Sequence, residues 1–219
     1  MLNELWDKST KLFNPREVTK TFKSEIPKAS LNKALLVLAI AISLSVVISI
    51  INVVESGYFR MFRYDVLAEV ADIEEMSIDW GPFIPYTISR IFILIPAMFI
   101  LTYVFERISY ELLKRTGGKG TFEQQLYLVS LISFSLMVAS MLLFIAPVPC
   151  LGAPLVLLFV LSGLYFAIFV TGKAYQLVHE IGMMHAIGVI IVVGIPKIIS
   201  ILLVNDIFGV LGLPDLPFE

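Results

Sequence analysis

The chain has 219 residues, 58% of them hydrophobic and 16% charged, with a formal net charge of −2. A soluble globular domain carries roughly 45–50% apolar and about 25% charged residues, so this composition excludes an ordinary soluble protein and points to one membrane-embedded domain. The near-neutral balance, with no basic face, excludes nucleic acid as a partner, and the single cysteine, Cys150, excludes an internal disulfide framework and a cysteine-based metal cluster.

Residues 1–33 form a cytoplasmic amphipathic arm. Leu2, Leu5, Trp6, Leu12 and Phe13 recur at helical spacing, with Asp7, Lys8 and Lys11 on the other face. Asn14-Pro15-Arg16-Glu17 then reads as a new helix start: Asn14 caps, Pro15 suits the first helical position, and Glu17 stands three residues after the cap. Pro27 ends that helix near Glu25 or Ile26. A basic amphipathic segment beside a first span predicts a helix lying on the cytoplasmic leaflet. A solvated arm packed on cytoplasmic loops fits the same pattern.

Five apolar runs follow, at about 34–54, 86–107, 124–146, 151–171 and 184–204. About 20 residues rise roughly 30 Å as a helix, the hydrocarbon thickness of a bilayer. The first run begins too late, is too long, and ends in Asn52-Val53-Val54-Glu55, so a cleavable signal peptide is not expected. Within it Ala41, Ser45 and Ser49 form a stripe suited to close helix packing, with Asn52 near the outer end. The gap at 55–85 carries a helical stripe through 58–76 (Phe59, Phe62, Val66, Val70, Ile73), then Trp80, Pro82, Pro85 and Tyr86 before span two. Span two holds Arg90 near its outer end, where a headgroup is within reach, and Pro96, which frees the Phe92 carbonyl and predicts a kink.

The next gap carries Gly117-Gly118-Lys119-Gly120-Thr121-Phe122-Glu123. It lacks the Gly-x-x-x-x-Gly-Lys-Ser/Thr spacing and the preceding strand of a nucleotide loop, so it reads as a turn followed by a Thr121 cap. Spans three and four are joined by a short, uncharged, proline-bearing link across 146–154, and Gly163 and Ala167 give span four a small-xxx-small step. His179 and His185 are six residues apart, where the zinc-protease spacing needs four, so an ordinary loop is expected there. Lys197, next to Pro196, lies about eight residues from the outer end of span five. A cation at that depth costs about 2.5–3.5 kcal/mol in lipid, so Lys197 is expected to face the bundle and donate to carbonyls freed by Pro96 or Pro196, with an anion or lipid-headgroup contact in a hydrated cavity as the functional alternative and a neutral exposed lysine as the third.

The cations fix an orientation. Residues 1–33 hold seven, the gap after span two adds Arg107, Lys114, Arg115 and Lys119, and the gap after span four adds Lys173. That is about twelve on one side against Arg60 and Arg63 on the other, with Arg90 and Lys197 inside spans. The pattern predicts an all-α bundle of five transmembrane helices at 34–204, a cytoplasmic N-terminus, and an external tail from 205 to 219.

In order, the chain presents Leu12-Phe13-Asn14-Pro15-Arg16-Glu17, Gly118-Lys119-Gly120-Thr121-Phe122-Glu123, the proline-bearing link, a His-containing cytoplasmic gap and Pro196 within span five. Together these resemble a prokaryotic member of the Yip family, five-span membrane proteins related to Ypt/Rab-interacting proteins. The resemblance implies a bundle with the N-terminus in the cytoplasm and, in eukaryotic members, roles in vesicle trafficking and membrane shaping. Asp79-Trp80-Gly81-Pro82 only loosely echoes the Asp-Leu-x-Gly-Pro sequence of those members and stands before span two rather than span one, so no Rab-binding role is carried onto it.

The expected function is therefore non-enzymatic: a multi-pass protein of the cell membrane that binds other membrane proteins or shapes the bilayer. Its partners would be the lipid bilayer and a membrane protein or further copies of itself. No catalytic, cofactor-binding or metal-binding residues are expected, and no cofactor. A small transporter or channel component is the alternative. It needs polar groups along a path, for which the spans offer Lys197, Arg90 and Asn52 but no acidic residue at mid-membrane.

Overall fold

The computed structural model describes residues 2–48, 90–141 and 152–210. Among these residues the chain is all-helical, with 91% helix and no strand. Asn52, Ser49, the gap from 55 to 85, Cys150 and the tail from 211 lie outside the described residues.

The arm folds as α1 (Leu2–Leu12) and α2 (Pro15–Glu25). Asn14 turns the chain between them, its side chain accepting from the Arg16 amide at 3.1 Å, with Pro15 in the first turn. Glu17 does not return to the cap but pairs with Lys20 at 3.0 Å. α2 stops at Glu25, ahead of a 3₁₀ turn, Ile26–Lys28, that contains Pro27.

α3 (Leu31–Ile48) follows. α4 (Ile95–Arg115) is preceded by a π-helical turn, Arg90–Leu94, placed where Pro96 has no N–H to give the Phe92 carbonyl. α5 (Phe122–Ser140) opens on a capping box: the Gln124 amide donates to Thr121 Oγ1 at 3.3 Å, and the Thr121 amide donates to Gln124 Oε1 at 3.1 Å. α6 (Gly152–Leu164) runs through a second π-helical stretch, Tyr165–Val170, into α7 (Thr171–His179), and α8 (Met183–Val210) continues through Pro196.

Five helical stretches are long and apolar enough to cross a membrane: Leu31–Ile48, Phe92–Arg115, Phe122–Ser140, Leu157–His179 and Met183–Ile201. Two extend past the apolar runs that predicted them, to Arg115 instead of about 107 and to His179 instead of about 171. A fall in hydropathy marks the end of lipid, whereas a helix ends where its backbone is capped, and here packing carries both helices onward. α8 likewise carries residues 205–210, expected in the tail, as helix.

α5 is the hub, with 72% of its span buried against 17–39% for the others. It is apolar all round because neighbours cover it on every side. α1, α4 and α7 pack against it, and α8 closes on α4 and α7. The outward faces are apolar: Phe92 and Ile100 of the second span, Leu157, Leu161 and Leu164 of the fourth, and Val192, Ile195 and Ile198 of the fifth are all exposed. In water such a perimeter would be a large uncovered apolar surface, and in a bilayer lipid covers it.

The arm does not sit on loops. Leu5, Leu12, Val18 and Phe22 join one core with Leu126, Leu131, Phe166 and Ala174 of the spans. Small residues contribute less than their spacing suggests. Ala41 is buried, but Ser45 is exposed and returns its hydroxyl to the Ala41 carbonyl at 2.8 Å. Around Gly163 nothing lies within 4 Å of an added Cβ, and Ala167 is exposed.

Candidate functional site

Five polar side chains of the spans converge at one place. Glu106 of α4, Gln125 of α5, Tyr175 and His179 of α7 and Lys197 of α8 meet between four helices. The first four are at most 4% exposed. Tyr175 and His179 stand four residues apart on one face of α7, which aims both inward. Lys197 leans toward the N-terminal end of α8, the direction a helical side chain takes.

Glu106 is the centre of this knot. Its Oε2 accepts from the Tyr175 hydroxyl at 2.8 Å and from Gln125 Nε2 at 3.1 Å, and its Oε1 takes Lys197 Nζ at 3.3 Å. Gln125 Nε2 also donates to the Glu106 carbonyl at 3.1 Å. With the Gln125 amide nitrogen committed to donation, its Oε1 can only accept, so His179 Nε2 carries the hydrogen of their 2.9 Å bond. A neutral ring then leaves His179 Nδ1 as a bare acceptor, and that atom is buried without a hydrogen-bond partner among the described residues.

The Gly-rich loop is the lid over this end. The Gly118 amide donates to Leu113 O at 2.9 Å and the Gly117 amide to Lys114 O at 3.1 Å, the paired closure of a helix C-terminus, with Gly117 at φ 92° as that closure requires. The Lys119 amide donates to His179 O at 3.1 Å, and its ammonium pairs with Glu180 at 3.0 Å. A Cβ on Gly118 would lie 2.8 Å from His179 Nδ1, and one on Gly120 would collide with the Val178 carbonyl. The glycines therefore permit close approach to α7. The Gly117, Gly118 and Lys119 amides are spent on carbonyls, so the loop's structural use is to close α4 and dock on α7.

A second cluster fastens the arm. Glu25, 2% exposed, accepts from Lys8 at 2.7 Å and Tyr127 at 2.8 Å through Oε2 and from Lys28 at 2.9 Å through Oε1. Lys8 also reaches Glu4 at 2.6 Å. Burial alone would push the Glu25 carboxyl up, but the bonds from Lys8, Lys28 and Tyr127 outweigh it and hold the group below its ordinary 4.5. Burial likewise opposes the Lys8 charge, and the two carboxylates overcome it, raising Lys8 above 10.5.

Of the residues singled out in sequence, Lys197 lies in the first cluster, Arg90 opens the π-helical turn at the other end of span two, and Asn52 is outside the described residues. Lys197 faces the bundle as expected, but its partner is the Glu106 carboxylate and not a freed carbonyl. A full negative charge compensates a half-buried ammonium better than a carbonyl dipole does. Glu106, at the edge of the apolar run at 86–107, lies well inside the second helix because that helix continues to Arg115. Sequence reasoning misses Gln125 and Tyr175, which stand at or just past the edge of an apolar run where polar residues are ordinary, and weighs His179 only as a metal ligand.

Compared with protein-family models, curated proteins and solved structures, the chain matches none.

Proposed function

We propose that the chain is a non-enzymatic multi-pass protein of the cell membrane, of the Yip type, that binds other membrane proteins or organises the bilayer around itself. Its N-terminus is cytoplasmic and its C-terminus external, a reading supported by the twelve-to-two distribution of cations. The observation that carries the proposal is the closed character of the Glu106 knot. Each Glu106 oxygen is held by side chains from neighbouring helices, so the charges inside the spans serve as a fastener. The working surface is then the apolar perimeter, where exposed Ala167 and the open space around Gly163 let another helix approach closely.

A transporter component is the second reading, favoured by one specific observation: Glu106 and Lys197 are ionisable groups within membrane-spanning helices, the usual mark of a solute or proton path. Purification in mild detergent followed by mass spectrometry separates the two. A membrane protein recovered in constant ratio across preparations, and lost when Gly163 is changed to Leu, is the expected result. A small solute retained by the intact chain and released by Glu106→Gln would instead establish the second reading.

A further inference from the structure

We propose that α1 is itself a lipid-contacting element, lying against span three with its C-terminal end on span four and with Leu2, Trp6 and Phe13 in the acyl region of an anionic leaflet. This rests on the reading that the five long helices cross a bilayer.

The structure divides one side of α1, with Phe13 just past its end, into two neighbouring rows. Leu5, Ser9 and Leu12 turn inward and are at most 4% exposed, whereas Leu2, Trp6 and Phe13 are 55%, 47% and 39% exposed. On a helical wheel the second row borders the first on one side. The row left open therefore faces sideways along the bundle, toward whatever surrounds the spans.

Its level along the bundle decides what that surrounding is. Ser9 Oγ donates to Ser135 Oγ at 2.9 Å, and Ser135 lies thirteen residues past Phe122, about 20 Å of helix rise. The Phe13 ring packs edge-on against Phe166 at 4.8 Å, and Tyr165 donates to the Leu12 carbonyl at 3.2 Å. Phe166 lies thirteen residues before His179, again about 20 Å from that end of its helix. Ile168, closer still to His179, is exposed and apolar, as are Leu164 and Leu161 on the far side. The apolar perimeter of span four thus extends past the level at which the arm docks, and α1 stands within that belt.

The charges of the arm suit this position. Lys8 is neutralised by Glu25 and Glu4, and Lys11 pairs with Asp7 at 2.6 Å. Arg16, Lys20 and Lys23 are exposed on α2, and cations there draw anionic headgroups, each worth about 1 kcal/mol near a charged surface. An aromatic at the boundary with basic residues beside it is the composition of an interfacial helix.

The test uses the full chain in nanodiscs of mixed anionic and zwitterionic lipid, with Trp80→Phe leaving Trp6 as the sole tryptophan. Trp6 emission is expected to be blue-shifted and largely lost to lipids brominated near the headgroup end of the acyl chain, with little loss to aqueous iodide. A reference chain carries Leu161→Trp with both native tryptophans changed to Phe. If the reference is quenched by brominated lipid while Trp6 answers only to iodide, the proposal fails and the membrane-spanning reading stands. Shielding of Trp6 from both quenchers means that protein covers the row, which also overturns the proposal. If neither position is quenched by lipid, both readings fall. Should the tryptophan variants not fold, Leu2→Cys in a Cys150→Ser chain, labelled with a polarity-sensitive fluorophore, reports the same row, and a water-like emission there overturns the proposal.

Discussion

Glu106→Gln is expected to destabilise the detergent-solubilised chain by about 3–5 kcal/mol, because it leaves the Lys197 ammonium in a protein interior without its counter-charge. Lys197→Met keeps the length of the stem and removes the charge. Alone it should cost less, since Glu106 retains Tyr175 and Gln125 as donors. Placed on top of Glu106→Gln, it should restore most of the lost stability, because a neutral pair of similar volume avoids the uncompensated charge. Thermal unfolding of the wild type, both single variants and the double variant gives the coupling directly. Additive effects would mean that the two residues do not act as a unit.

Acidification should release the arm before the bundle unfolds. The Glu25 carboxyl sits below its ordinary value of 4.5 in the folded chain, so its contribution is complete above pH 4.5 and is lost as pH falls through the lowered value. Lys8 is shifted the other way: its contribution is complete below pH 10.5 and lost as pH rises through the raised value. Docking of the arm is therefore most stable across the wide window between these limits. Glu25→Gln should cost about 1.5–3 kcal/mol at neutral pH, by leaving Lys8 with Glu4 alone and taking the charged acceptor from Tyr127, and should flatten the acid limb. Proteolysis between α2 and α3, followed against pH, reads the docking. An unchanged acid limb in Glu25→Gln would place the titration elsewhere.

Much of this architecture is legible in the sequence, and the reasons are local. Asn14-Pro15 and Thr121 cap helices through bonds to amides two or three residues away, so adjacency in sequence suffices to read them. Apolar runs of about 20 residues declare the spans for the same reason. Tertiary pairings are another matter. Glu106 and Lys197 are 91 residues apart, and Glu25 and Tyr127 are 102 apart. No spacing rule joins such positions. The burial of Glu25 and Lys8 follows from which face of the arm meets α5, and that is decided by packing partners contributed from four helices. The Gly-rich loop is legible as a turn, but the reason for Gly118 and Gly120 lies in their close approach to His179 and Val178, which belong to another helix.

Substituted-cysteine labelling tests the central claim, a five-span bundle with its cation-rich end in the cytoplasm. In a Cys150→Ser chain expressed in intact cells, a membrane-impermeant maleimide should modify Asp215→Cys directly. It should reach Lys119→Cys, in the loop that pairs with Glu180, only after the membrane is opened. Equal modification of Lys119→Cys from outside the intact cell would contradict the account.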